Sequence, residues 1–392
     1  MDFEQRYDAE YEEFQREVKR WLDANAPSDG PVSAGTGPLP SHIEEELRRQ
    51  FLAKLSDRGW AAPSLPAEYG GAGLTATHEL IVWRELEARN LAAPYASNRS
   101  VASAILAWGS DEQKSKYIRD LLRGNLVVSK PFYETYAVAY PEGVRAAAKR
   151  DGDVYVLTAD EMFVGACGTP THLWAIALTD PEAPPHKRLS VFLLPSDLQG
   201  VSISTLDSIA GDTKLVVNMD EVLVPVEYRI GDEGDGSLVA HSALGTEAEA
   251  DRVLKEHATM VTALIRYCKD KAINQLPQEQ YRRMREMVAE AYINTQILRL
   301  ISARNEWMRT SGQELTFHES QYAMLAKLMR PRLSDIMLDN MGPLALVSDE
   351  EWDVSNGASE SFQRSSIPGL SVDDSDDTHE RIITRYIQHR ED

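Results

Sequence analysis

The side chains best suited to metal or redox chemistry are few and scattered in this 392-residue chain. Nine histidines and two cysteines, Cys167 and Cys268, show no His-x-x-x-His or mixed Cys/His spacing, so no metal site is implied. Unpaired cysteines suit a reducing cytoplasm. Arg282-Arg-Met-Arg285 is a short basic run that reads as a solvated helix face or an anion site. Glu247-Ala-Glu-Ala-Asp251 is a cluster of acids of the kind that complements the dipole of a first helical turn. Trp60, Trp174 and Phe192 sit in apolar surroundings and read as core rather than as cofactor stackers. The net charge of −21 argues against a nucleic-acid surface, which needs clustered Lys and Arg.

The elements that would position these groups divide the chain. Apolar residues make up 43% and charged residues 26%, as in ordinary globular proteins, and the length calls for two or three packed units. Asp153–Thr158, His172–Leu178, Arg188–Leu194 and Lys214–Asn218 are short runs rich in Val, Ile, Leu and aromatics, punctuated by Gly, Pro and Asp, and predict strands. Helical spacing precedes and follows them. Phe3, Tyr7, Phe14, Val18 and Trp21 share one helix face, and Ser41-His-Ile-Glu44 fits a capping box opening a second helix. Further helices are expected around 80–91 and 100–108. After Gly236, Met287, Ala291, Leu298 and Ile301 mark one long helix, and an oligomer interface would cover that stripe. Tyr322 to Met341 marks another, kinked or interrupted at Pro331. Residues 365–377 read as a loop, and Thr378–Arg385 as a short terminal helix. The N-terminus has no apolar signal segment, and no stretch reaches the ~18 apolar residues of a membrane span.

The most specific stretch is Gly59-Trp60 leading into Pro66-Ala-Glu-Tyr-Gly-Gly71, followed by Gly109-Ser-Asp-Glu-Gln-Lys114 and Tyr117. With Met219-Asp-Glu-Val-Leu-Val-Pro225, Ile230-Gly231 and Gly236, it resembles the flavin-dependent acyl-CoA dehydrogenase family along the whole chain. The resemblance implies an α+β fold: an N-terminal helical domain (1–125), a middle β-domain of barrel or sandwich type (126–236) and a C-terminal four-helix bundle (237–392).

It also implies a reaction. The family removes a proton α to a thioester carbonyl while a hydride leaves the β carbon for FAD. That α proton is too weakly acidic for water to take, and a carboxylate in a dry pocket can take it. By the family's Leu-x-x-Glu pattern, Leu244-Gly-Thr-Glu247 makes Glu247 the candidate base, although Ala248 replaces the usual following Arg. The family's second position for the base falls on Asp373 or Asp374, and Asp374 stands as the alternative. The flavin-facing Leu-Thr-Glu-Pro corresponds to Phe132, Tyr133, Glu134 and Thr135. The segment backing the ring corresponds to Phe163, Val164 and Gly165, where Phe163 keeps an aromatic ring and Gly165 lacks the family's hydroxyl. Lys271 replaces an Arg that meets the FAD diphosphate across a subunit boundary, and Asn274 its Phe partner. Asp339-Asn-Met-Gly-Pro343 replaces Gln-x-x-Gly-Gly, leaving Gly342.

Two functions follow from the resemblance. One is an acyl-CoA dehydrogenase subunit acting on a bulky CoA ester such as a sterol side chain, which would place it in steroid catabolism. It would sit in a homo- or hetero-oligomer, a dimer of dimers, with a second dehydrogenase-like chain and an electron-transfer acceptor protein. The other is a non-catalytic partner of the same fold that completes or stabilises the flavin site of a second chain.

Overall fold

The computed structural model describes residues 8–27, 41–89, 91, 93–130, 133–134, 144–165, 168–209, 211, 213–243, 246–269, 277–348, 358–366 and 376–388. Phe3 and Tyr7 of the first expected helix lie outside them. Two compact units form: one of Met1–Asp207 with Asp212–Ala248, the other of Ser208–Gly211 with Glu249–Asp392.

The first unit opens with helices α1 (Ala9–Asn25), α2 (His42–Asp57), α3 (Ala76–Ala88), α4 (Ala93–Trp108) and α5 (Asp111–Arg123). The expected capping box is present at α2, where Ser41 Oγ accepts from the Glu44 amide and Glu44 accepts from the Ser41 amide. Ser110 and Gln113 form another at α5. Each box satisfies amides that the first turn leaves unpaired. Val18, Leu22, Phe51, Leu55, Trp60 and Val82 close a core between α1, α2 and α3.

Among the described residues nine strands follow: β1 (Val128–Ser129), β2 (Tyr133–Glu134), β3 (Ala147–Asp151), β4 (Val154–Gly165), β5 (His172–Leu178), β6 (Leu189–Pro195), β7 (Val201–Asp207), β8 (Thr213–Pro225) and β9 (Arg229–Ile230). They form one mixed sheet ordered β7-β8-β4-β3-β5-β6-β9, with β1 parallel to β5 and β2 antiparallel to β4. Trp174 and Ile176 of β5 and Val191 and Leu193 of β6 pack with Ile105, Tyr117 and Leu121 of the helices. The alternate residues Leu173, Ala175, Phe192 and Leu194 share a second core with Tyr155, Val217 and Val224 of β4 and β8. A short helix, α6 (Gly236–Ser242), leads into α7 (Thr246–Tyr267), whose first residues belong to this unit.

The second unit holds the rest of α7 with α8 (Gln278–Thr310), α9 (His318–Met341), α10 (Ala358–Ser366) and α11 (Asp376–Gln388). The helix–sheet–helix order expected from periodicity is therefore present. Two details differ. The stripe of Met287, Ala291, Leu298 and Ile301 packs largely inside this unit, against residues such as Met337, Tyr322 and Leu325, with Ala291 and Leu298 buried and Met287 and Ile301 half-buried. And α9 runs unbroken through Pro331. Proline removes one amide from the ladder, but the residues on either side are fastened to other helices. Arg330 donates to both Glu256 oxygens of α7 at 2.8 and 2.9 Å, and Arg332 donates to both Glu290 oxygens of α8 at 2.7 and 2.8 Å. Among the described residues no helix is long and apolar enough to cross a membrane.

His257 of α7 is buried against α8. Thr295 Oγ1 donates to the Ala291 carbonyl at 2.9 Å, so the 2.9 Å contact to His257 Nδ1 has the imidazole as donor. Burial, with the Arg330 charge acting the same way, holds its pKa down to about 4 against an ordinary 6.5. The neutral ring thus stabilises the fold fully above pH 6.5, and this contribution is lost as pH falls from 6.5 towards about 4. It is on the order of 3 kcal/mol. Denaturant unfolding of the wild type should weaken across that interval by more than His257→Gln does, and matching slopes for the two proteins would contradict this account.

Candidate active site

The approach to the site is set by glycine contacts. Gly234 has φ +88°, and a Cβ there would lie 2.7 Å from the Lys187 carbonyl oxygen; one on Gly236 would lie 2.5 Å from the Leu189 carbonyl. Only glycine lets the chain entering α6 lie this close to β6. The Gly234 amide donates to Ser190 Oγ at 3.1 Å, and Lys187 pairs with Asp235. Upstream, Gln113 Nε2 donates to the carbonyls of Glu227 and Arg229, both at 2.8 Å, fixing β9 to α5. Tyr155 donates to Glu233 at 2.7 Å and accepts from Arg229 at 2.7 Å; burial and the Glu233 bond push its pKa up.

The ribbon of β4 and β8 carries the next part. Leu157 faces Val222, Ala159 faces Met219 and Met162 faces Val217. Between the first two pairs β8 carries two residues, Asp220 and Glu221, against Thr158 alone. Between the next two β4 carries Asp160 and Glu161 against Asn218 alone. These are two reciprocal bulges. Each contains a glutamate in the left-handed region, Glu161 and Glu221, both at φ +46°. Asn218 Oδ1 accepts from the Glu161 amide at 2.7 Å. Bulges bend a strand and re-aim the residues beyond them; here those residues are Met162–Gly165. On this stretch β2 takes the edge that β3 has left: Tyr133 pairs with Phe163 and Glu134 with Met162.

The two segments expected to flank a flavin therefore lie side by side. Tyr133, Glu134, Phe163, Val164 and Gly165 are on adjacent strands, and Val164 is half-buried. Phe132, Lys271, Asn274, Asp373 and Asp374 lie outside the described residues. Glu247 is the second residue of α7, in the same unit as these strands. Gly342 belongs to the other unit, ending α9 at φ +57° and ψ −139°. The β2–β4 pairing brings together the two segments that the resemblance assigns to the flavin ring. The end of α9 suits FAD less. Asp335 and Asp339 lie close enough to Arg332 to raise its pKa, after the larger effect of its bond to Glu290. Carboxylates near the negative end of a helix do not suit a diphosphate.

One residue escaped sequence reasoning. Lys130, directly after β1, donates to Ser100 Oγ of α4 at 3.2 Å and to the Ala243 carbonyl beyond α6 at 3.0 Å. Asn98 of α4 fixes the same strand, its Oδ1 accepting from the Val128 amide at 3.1 Å and its Nδ2 donating to the Leu126 carbonyl at 2.6 Å. The only local signal was a lysine between a valine-rich strand and a proline, which reads equally as a solvated strand end.

If the left-handed backbone is what shapes β4, the two smallest changes at position 161 should have opposite effects. Glu161→Gly removes the Cβ clash and should be neutral or stabilising by up to about 1 kcal/mol. Glu161→Val should destabilise by more than that, because a β-branched residue tolerates positive φ least. Equal stability of the two variants in thermal unfolding would show that the bulge is not held in this conformation.

Residues 8–125 match the family model described as acyl-CoA dehydrogenase, N-terminal domain. Among curated proteins, the chain is 31% identical over 205 residues to acyl-CoA dehydrogenase FadE26 of Mycobacterium tuberculosis, covering 52% of this chain and 51% of that protein. It is 25% identical over 274 residues to acyl-CoA dehydrogenase IpdE1 of Mycolicibacterium smegmatis, covering 64% of this chain and 69% of the other. The chain thus spans about half the length of FadE26. Among solved structures, the Tcur3481-Tcur3483 steroid ACAD superposes with a TM-score of 0.77 at 21% identity, covering 96% of this chain and 97% of that one. The ChsE4-ChsE5 complex from Mycobacterium tuberculosis gives 0.75 at 21%, covering 97% of each chain. Residues 8–125 thus carry the acyl-CoA dehydrogenase N-terminal domain, and the chain as a whole has the fold of these solved structures.

Proposed function

We propose that the chain is one subunit of an acyl-CoA dehydrogenase that oxidises an acyl-CoA to its 2,3-enoyl form. The observation that carries this reading is the pairing of β2 with β4, which sets Tyr133 and Glu134 beside Met162 and Phe163 in the unit that holds Glu247, the second residue of α7. Phe132, Tyr133, Glu134, Phe163, Val164 and Gly165 would hold the ring of one FAD, and Lys271 and Gly342 would meet the diphosphate of another across a subunit boundary. A bound FAD supplies the acceptor for the hydride that leaves the β carbon. Glu247 takes the α proton onto a carboxylate oxygen, and backbone amides polarise the thioester carbonyl so that the developing negative charge is stabilised. Asp374 is the alternative base.

The acyl group is a bulky CoA ester of the sterol side-chain type, and the reaction belongs to steroid catabolism in the cytoplasm. Similarity to the Tcur3481-Tcur3483 steroid ACAD and to the ChsE4-ChsE5 complex supports a steroid substrate class and an assembly of two kinds of chain. That assembly is a heterotetramer, a dimer of dimers, and hands electrons to an acceptor protein. Pairing has its own support. Ile293, Ile297, Leu300 and Trp307 on α8 are spaced by alternating threes and fours once Arg304 is counted, and all four are exposed. An apolar helical stripe of this kind is usually covered by another surface. Asp335 and Asp339 near the end of α9 favour the second reading, a partner subunit that completes the flavin site of another chain.

Glu247→Gln keeps size and polarity but cannot accept the proton. Turnover of the assembled enzyme should fall on the order of 10²- to 10⁴-fold while flavin content and acyl-CoA affinity hold. Asp374→Asn should be near wild type, and a collapse there moves the base to that position. If neither change alters turnover, the partner reading replaces the catalytic one. The visible spectrum separates the cofactor question: a chain that is colourless alone and yellow only with its second chain shares its flavin site. Replacing Ile297 and Leu300 together by Asp should lower the assembly mass in light scattering, and an unchanged mass removes α8 from the interface.

A further inference from the structure

Helix α6 has seven residues, too few to hold its shape unaided. Its entrance is pinned to β6 through Gly234 and Gly236. Its exit ends in carbonyls that have no partner within a helix. The carbonyl just past it, that of Ala243, accepts from Lys130 Nζ at 3.0 Å, and the same ammonium reaches Ser100 Oγ at 3.2 Å. The lysine is half-buried and starts from a strand that Asn98 already fixes. Its cation is thus held in place on both sides. A charged donor makes a stronger bond to a carbonyl than a neutral one.

The chain positions on either side of this bond are informative. Glu134 lies four residues after Lys130, and Glu247 four residues after Ala243. Four residues reach at most about 14 Å. A single bond between segments 113 residues apart therefore limits the separation of the β2–β4 pair and the first turn of α7. We propose that Lys130 is a positioning residue for this site: its ammonium, bound to the Ala243 carbonyl, holds the chain that bears Glu247 against the strands that flank the cofactor. The assignment rests on the catalytic reading above. Its role is one of placement: it limits where the chain bearing Glu247 can stand, and small displacements of a base are costly because proton transfer demands near-contact geometry.

The test has two readouts on the enzyme as purified with its partner. The first is independent of activity. Hydrogen exchange in a peptide spanning residues 238–249 should accelerate by about tenfold or more in Lys130→Met, while peptides from β7 stay unchanged. Lys130→Arg, which keeps the cation and its donors, should restore much of the protection. The second is kinetic: kcat for a saturated acyl-CoA with a dye acceptor should fall by about 10²-fold in Lys130→Met with KM within about twofold, and Lys130→Arg should recover part of it. Unchanged exchange at 238–249 overturns the clamp, as does acceleration spread evenly over the whole first unit. Faster local exchange with unaltered kcat overturns the catalytic role of the clamp. Glu247→Gln run in parallel separates this from the base assignment. Its loss of turnover together with unchanged exchange in Lys130→Met refutes the clamp alone. Undiminished turnover in Glu247→Gln refutes the base, and with it the role given to Lys130.

Discussion

The first unit depends on β5 and β6 being buried on both faces. β5 alternates side chains of unequal size: Trp174 and Ile176 point to the helices, whereas Ala175 and Ala177 join Leu173 on the face towards β4 and β8. A slip of one residue would exchange these faces and drive an indole into a space filled by a methyl group. Register is thus fixed by volume as well as by polarity. Each large side chain buried on this slab contributes roughly 1.5–3 kcal/mol, so neither covering layer can be lost without exposing several of them. Helices α4 to α6 and the β4–β8 ribbon are consequently two coats of one wall, and β1 enters the sheet along β5, at the edge of that wall.

This burial decides how much periodicity could read. β5, most of β6, Val154–Leu157 at the start of β4 and Leu215–Val217 of β8 are apolar runs, and they appear where expected. β3 is Ala-Ala-Lys-Arg-Asp, mostly exposed, and owes its existence to partners on both sides rather than to its own residues. β7 is a solvated edge with Ser and Thr between its apolar residues. β1, β2 and β9 have two residues each, below any local signal. The long helix α8 presents apolar residues on opposed sides, so spacing identified a helix without saying which stripe turns inward. The family motif placed Tyr133 to Glu134 and Phe163 to Gly165 by alignment of types, and the ladder supplied their adjacency. Lys130 was illegible for a simple reason: a lysine becomes informative only when its acceptors, 30 and 113 residues away, are known.

Charge in the second unit is spent on cross-ties. Arg330 holds Glu256, Arg332 holds Glu290 and Arg309 holds Glu319, each linking different helices or the two ends of a turn. The partly buried Arg330–Glu256 pair holds its helices in register, because separating it leaves a charge unpaired, whereas the exposed Arg332–Glu290 pair contributes less. Guanidinium groups committed to internal carboxylates are poor candidates to bind a diphosphate as well. For a chain of net charge −21, the cation that such a group needs is more readily supplied by another subunit.

The reciprocal bulges have a consequence for how this sequence can change. An extra residue on β8 is cancelled, two pairs later, by an extra residue on β4. Deleting one residue from either strand alone would leave everything beyond it displaced by one position, turning Phe163 and Val164 to opposite faces of the sheet. The lengths of these two distant stretches are therefore coupled. A descendant of this chain can shorten one only by shortening the other, and an alignment gap at Asp160–Glu161 should be accompanied by one at Asp220–Glu221.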